Sequence, residues 1–359
     1  MKKNYSQRLS ALQNRYNPDG RLIFESQKGM DITKLSFLND EDVYVRTAMA
    51  AVDSKYTSDI KQAGENVKTH LQRTLENVVY AFQGSVMTDT HIKGNSDIDL
   101  LVIAAEFYNV PGSSQLQELY NKPNLTEKQK SKIGEIYHAP KFTGNSEHIL
   151  HQNRLKIEET LSQKYKEHDI KKPKCVTIYN SDLRKWVDSV VACFADDQFS
   201  ILNLQEAKFR GIKIYEKNVG TGKTDHPFYT IDQINSKSAR NFGRLKKMIR
   251  FLKNFMFDSE HGFEFLKTFD INIICFDINE SLYQNSHYIE LLFIMQNQLQ
   301  RIIDDSYYRN NLKSIDGSEK VFYDENGNFR NEKFNEVKIL NSELNELLNR
   351  IYIKYKKVI

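Results

Sequence analysis

Cysteine is scarce in this chain. Cys175, Cys193 and Cys275 are the only three in 359 residues, and no two stand in a Cys-x-x-Cys spacing. That pattern excludes a disulfide framework and a cysteine-ligated zinc site, and it fits a reducing compartment. Long apolar runs are missing too: no stretch reaches the roughly 18 apolar residues of a membrane span, so no transmembrane helix is expected. The opening residues MKKNYSQRLS have no apolar segment behind them. No signal peptide is expected, and cytoplasmic is the default location. Nor is there an excess of one charge. Lys and Arg number 51 against 47 Asp and Glu, a net +4 with no long basic run. This gives no sign of the many-phosphate contact surface that primer or tRNA binding requires. The nine histidines show no ligand spacing, and no internal repeat or low-complexity tract stands out. What is left, at 40% hydrophobic and 27% charged, has the composition of a globular protein with room for two substantial domains.

The most informative stretch is FQGSVMTDTHIKGNSDIDLLVI, residues 82–103. It contains Gly84-Ser85 and, after a short loop, Asp97-Ile98-Asp99 leading into Leu100, Leu101, Val102 and Ile103. In a strand, residues i and i+2 point to one face, so Asp97 and Asp99 aim two carboxylates at one place. An Asp-x-Asp pair in a loop is ordinarily solvated. This one sits in an apolar strand pattern, where two unpaired carboxylates would cost several kcal/mol or force one to stay protonated. A cation resolves the conflict, and hard oxygen ligands on a rigid strand favour Mg²⁺, with substrate phosphates completing the shell. Gly84, lacking Cβ, lets backbone N–H groups at the Gly-Ser turn approach an anion. Phosphate on one side and metal carboxylates on the other describe a nucleotidyl-transfer site.

Along the chain, Asp40–Phe82 reads as helical, with Leu71, Leu75, Val78 and Val79 on a buried face and Gly84-Ser85 at the helix end. Pro18-Asp19-Gly20 breaks the polar segment before it. A strand is expected over about 98–104 and a polar surface excursion over 113–147, after Pro111-Gly112-Ser113-Ser114. A helix follows from about Glu147 to Tyr165, then two short strands, Lys174–Tyr179 and Trp186–Cys193. A soft boundary falls at Val219-Gly220-Thr221-Gly222, giving domains of 1–220 and 221–359. Beyond it the chain reads as helical. In Arg240–Lys253 and onward, Leu245, Ile249, Leu252 and Met256 form an apolar stripe, with Lys246, Arg250 and Lys253 one position later beside it. Two further helices cover about Tyr288–Ile303 and Glu332–Tyr355.

Two-metal phosphoryl chemistry usually requires a third acid. The candidate is Asp188, a lone acid within the apolar pattern Lys185-Trp186-Val187-Asp188-Ser189-Val190-Val191. Asp196-Asp197 read instead as loop residues. Gly-Ser, a short spacer, Asp-Ile-Asp and a later strand Asp resemble the DNA polymerase β nucleotidyltransferase superfamily. Three features narrow the resemblance to the bacterial CD-NTases, relatives of cyclic GMP-AMP synthase. Lys93-Gly94-Asn95-Ser96 lies directly before Asp97, the Val187–Val191 strand follows after about ninety residues, and His226-Pro227 leads to the Arg250-Phe251-Leu252-Lys253 helix.

The resemblance, spanning roughly residues 70–355, implies an α+β fold. Its parts are a polymerase β-like core of mixed sheet and flanking helices, and a C-terminal helical lobe. It implies that Asp97, Asp99 and Asp188 hold two Mg²⁺ (or Mn²⁺) ions, that Gly84 and Ser85 cradle a triphosphate, and that Lys253 contacts phosphate. Relatives often place Ser then Tyr about twenty residues after that lysine. Here Ile274-Cys275-Phe276 stands near that place, so Phe276 keeps a ring to stack a base and Cys275 lacks the hydroxyl. The implied activity joins nucleoside triphosphates into a cyclic di- or oligonucleotide with release of pyrophosphate. The product would act on a separate effector in anti-phage, CBASS-type signalling, with no stable nucleic-acid partner and no membrane. The alternative is a nucleotidyltransferase acting on an external acceptor: a tRNA end, a small molecule or a protein hydroxyl.

Overall fold

The computed structural model describes residues 5–16, 40–94 and 97–356. Pro18-Asp19-Gly20 and Asn95-Ser96 lie outside the described residues. The chain divides into two compact units. One comprises Asp53–Thr88 and Ser96–Asp232, the other Met1–Val52, Asp89–Asn95 and Gln233–Ile359.

The first unit is a mixed seven-stranded sheet with helices. In chain order it contains α3 (Ser54–Leu71), β1 (Val78–Gln83), β2 (Ile98–Asn109), α4 (Ser113–Tyr120), α5 (Glu127–His138), α6 (Ser146–Lys164), β3 (His168–Asp169), β4 (Val176–Asn180), β5 (Lys185–Ala195), α7 (Gln198–Leu202), β6 (Ile212–Glu216) and β7 (Gly220–Asp225). The strand order is β1-β2-β5-β4-β3, with β6 pairing the second half of β5 and β7 pairing β6. Among the described residues the central β2–β5 pair is parallel and the other strand pairs are antiparallel. Both central strands are covered on two faces along much of their length, which is why β2 reads as a nearly continuous apolar run. Ile98, Leu100, Val102, Val187 and Val191 pack with Ile60, Val67 and Leu71 of α3 and Leu150, Ile157 and Leu161 of α6. Leu101, Ile103, Val190 and Ala192 point the other way, into a smaller cluster with Ile212.

Three expectations need correction here. Asp40–Phe82 is not one helical stretch. The side chain of Asp53 caps a new helix by accepting from Tyr56 N at 2.7 Å, and that helix stops at Leu71. Asn77 then adopts a left-handed φ of 53°, and Val78-Val79-Tyr80-Ala81-Phe82, rich in β-branched and aromatic side chains, forms β1. Gly84-Ser85 therefore follows a strand. Residues 113–147 are not merely a polar excursion: α4 and α5 bury Leu116, Leu119, Ile133 and Ile136 against Ile201 of α7. Gly220, composed like a linker, instead opens β7 and pairs with Glu216. The change of unit comes later, within the helix Pro227–Arg240.

The second unit is helical. It contains α1 (Tyr5–Tyr16), α2 (Asp40–Met49), the later part of α8 (Pro227–Arg240), α9 (Arg244–Phe257), α10 (Thr268–Asp277), α11 (Tyr288–Asp304), α12 (Ser306–Asn311) and α13 (Asn331–Lys356). Helix α9 is its axis. Every residue from Met248 to Met256 is buried, so the expected apolar stripe widens to nearly the whole circumference.

Candidate active site

The sheet register builds a row of polar residues at one end of the first unit. Gln83 of β1 pairs with Asp99 of β2, Asp99 with Asp188 of β5, and Asp188 with Thr177 of β4. Laterally paired residues share a face, so Asp99 and Asp188 stand side by side on the face away from α3 and α6. Asp97, two residues before Asp99 and just ahead of β2, belongs to the same side.

These carboxylates perturb one another. Burial and then the charges of Asp188 and Asp97 push the Asp99 carboxyl up to about 7. Burial and then Asp188 raise Asp97, against the opposing charge of Lys172. Like charges held this close in a half-buried place favour a cation or a proton. Among the described residues no three His, Cys, Asp or Glu side chains are already gathered in a geometry that could hold a metal ion. The donor set nonetheless fits a hard divalent cation: three carboxylates on one face, two of them carrying a raised proton affinity that a cation would relieve.

Gly84 completes the floor. Its φ is +91°, and a Cβ placed there would lie 2.7 Å from Asp99 Oδ2, so any other residue would strain the turn and press on the carboxylate. The turn is closed by Met87 N donating to Gly84 O at 3.2 Å and Thr88 Oγ1 donating to Ser85 O at 3.1 Å. The structure thus brings Gly84, Ser85, Asp97, Asp99 and Asp188 to one end of one sheet.

Sequence reasoning missed what surrounds Asp188. Thr177 Oγ1 donates to Asp188 Oδ1, and Lys172 Nζ stands 4.0 Å from the same oxygen. Cys175, just ahead of β4, has its thiol pushed up to about 11, by burial and then by the Asp188 charge, so it stays protonated. Antiparallel pairing of the two short strands seen in the sequence carries the signal for Thr177. Lys172 in a connecting segment left none. Asp196, read as a loop residue, is buried and held bidentately by Arg210 at 3.1 and 2.7 Å, and Asp197 caps α7 by accepting from Ser200 N.

Lys253 and Phe276 belong to the helical unit. Lys253 Nζ is buried and donates to Thr90 O at 3.3 Å and Thr90 Oγ1 at 3.2 Å. Burial lowers its proton affinity to about 7. Arg250, in the same row, donates to Met49 O and Asp89 O, so neither side chain lies on a solvated face. Phe276, half-buried near the end of α10, offers its carbonyl to Lys237 Nζ, which also sits 4.7 Å from the ring centre.

Residues 232–343 match the family model of the cGAS/DncV-like nucleotidyltransferase C-terminal helical domain. The chain is 40% identical to a c-di-GMP synthase of Capnocytophaga granulosa, over 97% of this chain and 99% of that one. It belongs to the CD-NTase family. A second c-di-GMP synthase, from a Lachnospiraceae bacterium, is 38% identical over 89% of this CD-NTase and 92% of its own length. Among solved structures, a STING-associated CdnE c-di-GMP synthase from Flavobacteriaceae sp. superposes with a TM-score of 0.86 at 30% identity, covering 99% and 100% of the two chains. The α+β architecture with a C-terminal helical part is therefore that of the family, as the residue pattern implied.

Proposed function

We propose that this CD-NTase condenses two molecules of GTP into cyclic di-GMP, releasing two pyrophosphates. The observation that carries the chemistry is the Asp97–Asp99–Asp188 face with Gly84 seated on Asp99. The choice of guanine rests on the similar enzymes, which are named for that product. In each of two steps a ribose hydroxyl oxygen bonds to an α-phosphorus. The bond from that phosphorus to the bridging oxygen breaks, and the β,γ-phosphates leave as pyrophosphate. Mg²⁺, held by Asp97, Asp99 and Asp188, would neutralise the triphosphate and make the hydroxyl more acidic.

The chain's own residues supply orientation. Thr177 donates to Oδ1 of Asp188 and Lys172 stands 4.0 Å from it, which would steady that carboxylate and leave Oδ2 to receive the hydroxyl's proton. The Gly84-Ser85 turn presents backbone N–H groups for the triphosphate. Lys253 as a phosphate contact and Phe276 as a stacking ring extend the proposal from the family resemblance. A separate effector responding to the product in anti-phage signalling extends it further, supported by the STING-associated description of similar structures. Among the described residues no helix is long and apolar enough to cross a membrane.

The test is incubation of the purified protein with Mg²⁺ and the four NTPs, without nucleic acid, followed by phosphatase treatment and mass spectrometry. A phosphatase-resistant product of the mass of cyclic di-GMP is expected. A cyclic product of other bases overturns the guanine assignment. Label appearing only in an added tRNA, protein or small alcohol overturns the synthase reading and favours transfer to an external acceptor.

A further inference from the structure

We propose that the indole of Trp186, backed by Tyr179, is the surface on which the base of the acceptor nucleotide stacks. The inference deepens the synthase reading and rests on it. Trp186 is the single tryptophan of the chain and is 41% exposed, although Val187, Val190 and Val191 just beyond it in β5 are sealed. Alternation along β5 puts Val187 on the helix-covered face and Trp186 on the opposite one, with Asp188 and Val190. The indole is therefore on the acid-bearing face. Ile98 pairs with Val187, so Trp186 stands one step outward on β5, as Asp97 stands one step ahead of β2. On the β4 side its register partner is Tyr179, with ring centres 4.9 Å apart and planes at 45°. The two tilted aromatic rings thus stand beside Asp97 and Asp188 on the sheet face, with the indole partly open to solvent.

The sheet order says which nucleotide uses these rings. β1 delivers Gly84-Ser85 on one side of β2, while β5 and β4 lie on the other. A triphosphate at the Gly-Ser turn occupies the first side. A nucleotide whose hydroxyl approaches Asp188 comes from the second, where Trp186, Tyr179 and the Lys172 ammonium are. A purine offers the flat π-face that an indole accepts, and removing such a stack characteristically weakens binding without touching the bonds that form and break.

The single indole is its own reporter. With the full chain and Mg²⁺, saturating α,β-methylene GTP or guanosine 5′-monophosphate, which cannot serve as donor, is expected to shield Trp186 from acrylamide, lowering the quenching constant at least about twofold. Trp186→Ala is expected to raise KM for GTP about tenfold, or about 1.4 kcal/mol, with kcat within about threefold, and Trp186→Phe to restore most of the loss. An indole equally quenched with calorimetrically confirmed nucleotide bound overturns the proposal, as does a folded Trp186→Ala enzyme with unchanged KM. Shielding by the triphosphate analogue but not by the monophosphate overturns the acceptor assignment. The wild-type quenching stands even where Trp186→Ala fails to fold. Cyclic product without shielding sinks this inference alone, whereas shielding without cyclic product sinks the synthase reading and leaves the stacking surface.

Discussion

Two sets of polar residues set in apolar segments look alike in the sequence and behave in opposite ways in the fold. On α9, Arg250, Lys253 and Asn254 sit inside an apolar helix, and each is spent on backbone. Arg250 and Asn254 donate to Met49 O and Ala48 O at the end of α2, and Lys253 donates to Thr90. Helix ends leave carbonyls without intrahelical partners, and Arg250 and Asn254 satisfy two of them. Lys333 and Asp270 likewise neutralise each other at 2.7 Å. On β2 and β5, three acids of one sign are set side by side, with burial and mutual repulsion raising Asp97 and Asp99. Arg250, Asn254 and the Lys333–Asp270 pair, satisfied in this way, are parts of the scaffold. Charges stacked against their own kind are held in readiness for something that binds.

The sharpest break of this contrast is removal of the acids. Asp97→Asn with Asp99→Asn is expected to lower cyclic-product formation by at least about a thousandfold while the metal-free protein melts at the same temperature or higher, because a ligand set and a repulsion vanish together. The pH dependence carries the same signature. The Asp99 carboxyl is raised from 3.8 to about 7 in the folded state, so below about pH 4 its contribution favours the folded protein, and this is lost as pH rises towards 7. In chelator-treated protein, denaturant titrations across that window are expected to show a falling stability component that Asp99→Asn removes. Turnover by the double variant comparable to wild type would falsify the active-site assignment.

The converse test is Lys333→Ala, which strands Asp270 in the helical unit. A loss of about 3 kcal/mol in urea unfolding is expected, since one partner of a buried pair is left uncompensated. Turnover per folded molecule should be little changed. A neutral effect on stability would erase the distinction drawn between the two groups.

Thr177→Val probes the boundary between them, since Thr177 is buried yet serves Asp188. With Asp188 no longer held at Oδ1, kcat is expected to fall about tenfold, with KM for GTP within about twofold, a hydrogen bond to a charged group being worth about 1.5–3 kcal/mol. A KM effect larger than the kcat effect would place Thr177 in nucleotide binding instead.

The last test returns to Lys253. Its amine is lowered from 10.5 to about 7 by burial, so the folded state binds fewer protons than the unfolded state between those values. Stability from this group is present above about pH 10.5 and lost as pH falls towards 7. Lys253→Met is expected to remove that rise with pH in denaturant titrations. An unchanged slope would mean that the ammonium is charged and satisfied in the fold.

Much of the site was legible because its chemistry is local. Asp97, Asp99 and Asp188 declare themselves as acids in apolar strand patterns, and Gly84 as the residue that a tight turn against a carboxylate requires. The strands at 98–104 and 186–193 and the helices at 147–165 and 288–303 were visible from periodicity, to within a few residues at most of their ends. The run Val78–Gln83 was misjudged because Leu71, Leu75, Val78 and Val79 also satisfy a helical spacing. The choice of strand was made by the partner that β2 offers, through the pairing of Val78 with Ala104 onwards.

The amino-acid sequence by itself determined the residue types at the site, the apolar alternation that makes β2 and β5 central strands, and the family. Short-range spacing and side-chain chemistry suffice for these. Tertiary structure alone decided which residues stand beside Asp188, that Arg250 and Lys253 are buried, and that helices α1 and α2 join the C-terminal helices in one unit while Gly220 stays with the sheet. Those outcomes depend on strand register and on which distant carbonyl or carboxylate arrives at hydrogen-bond distance. No window along the chain records either.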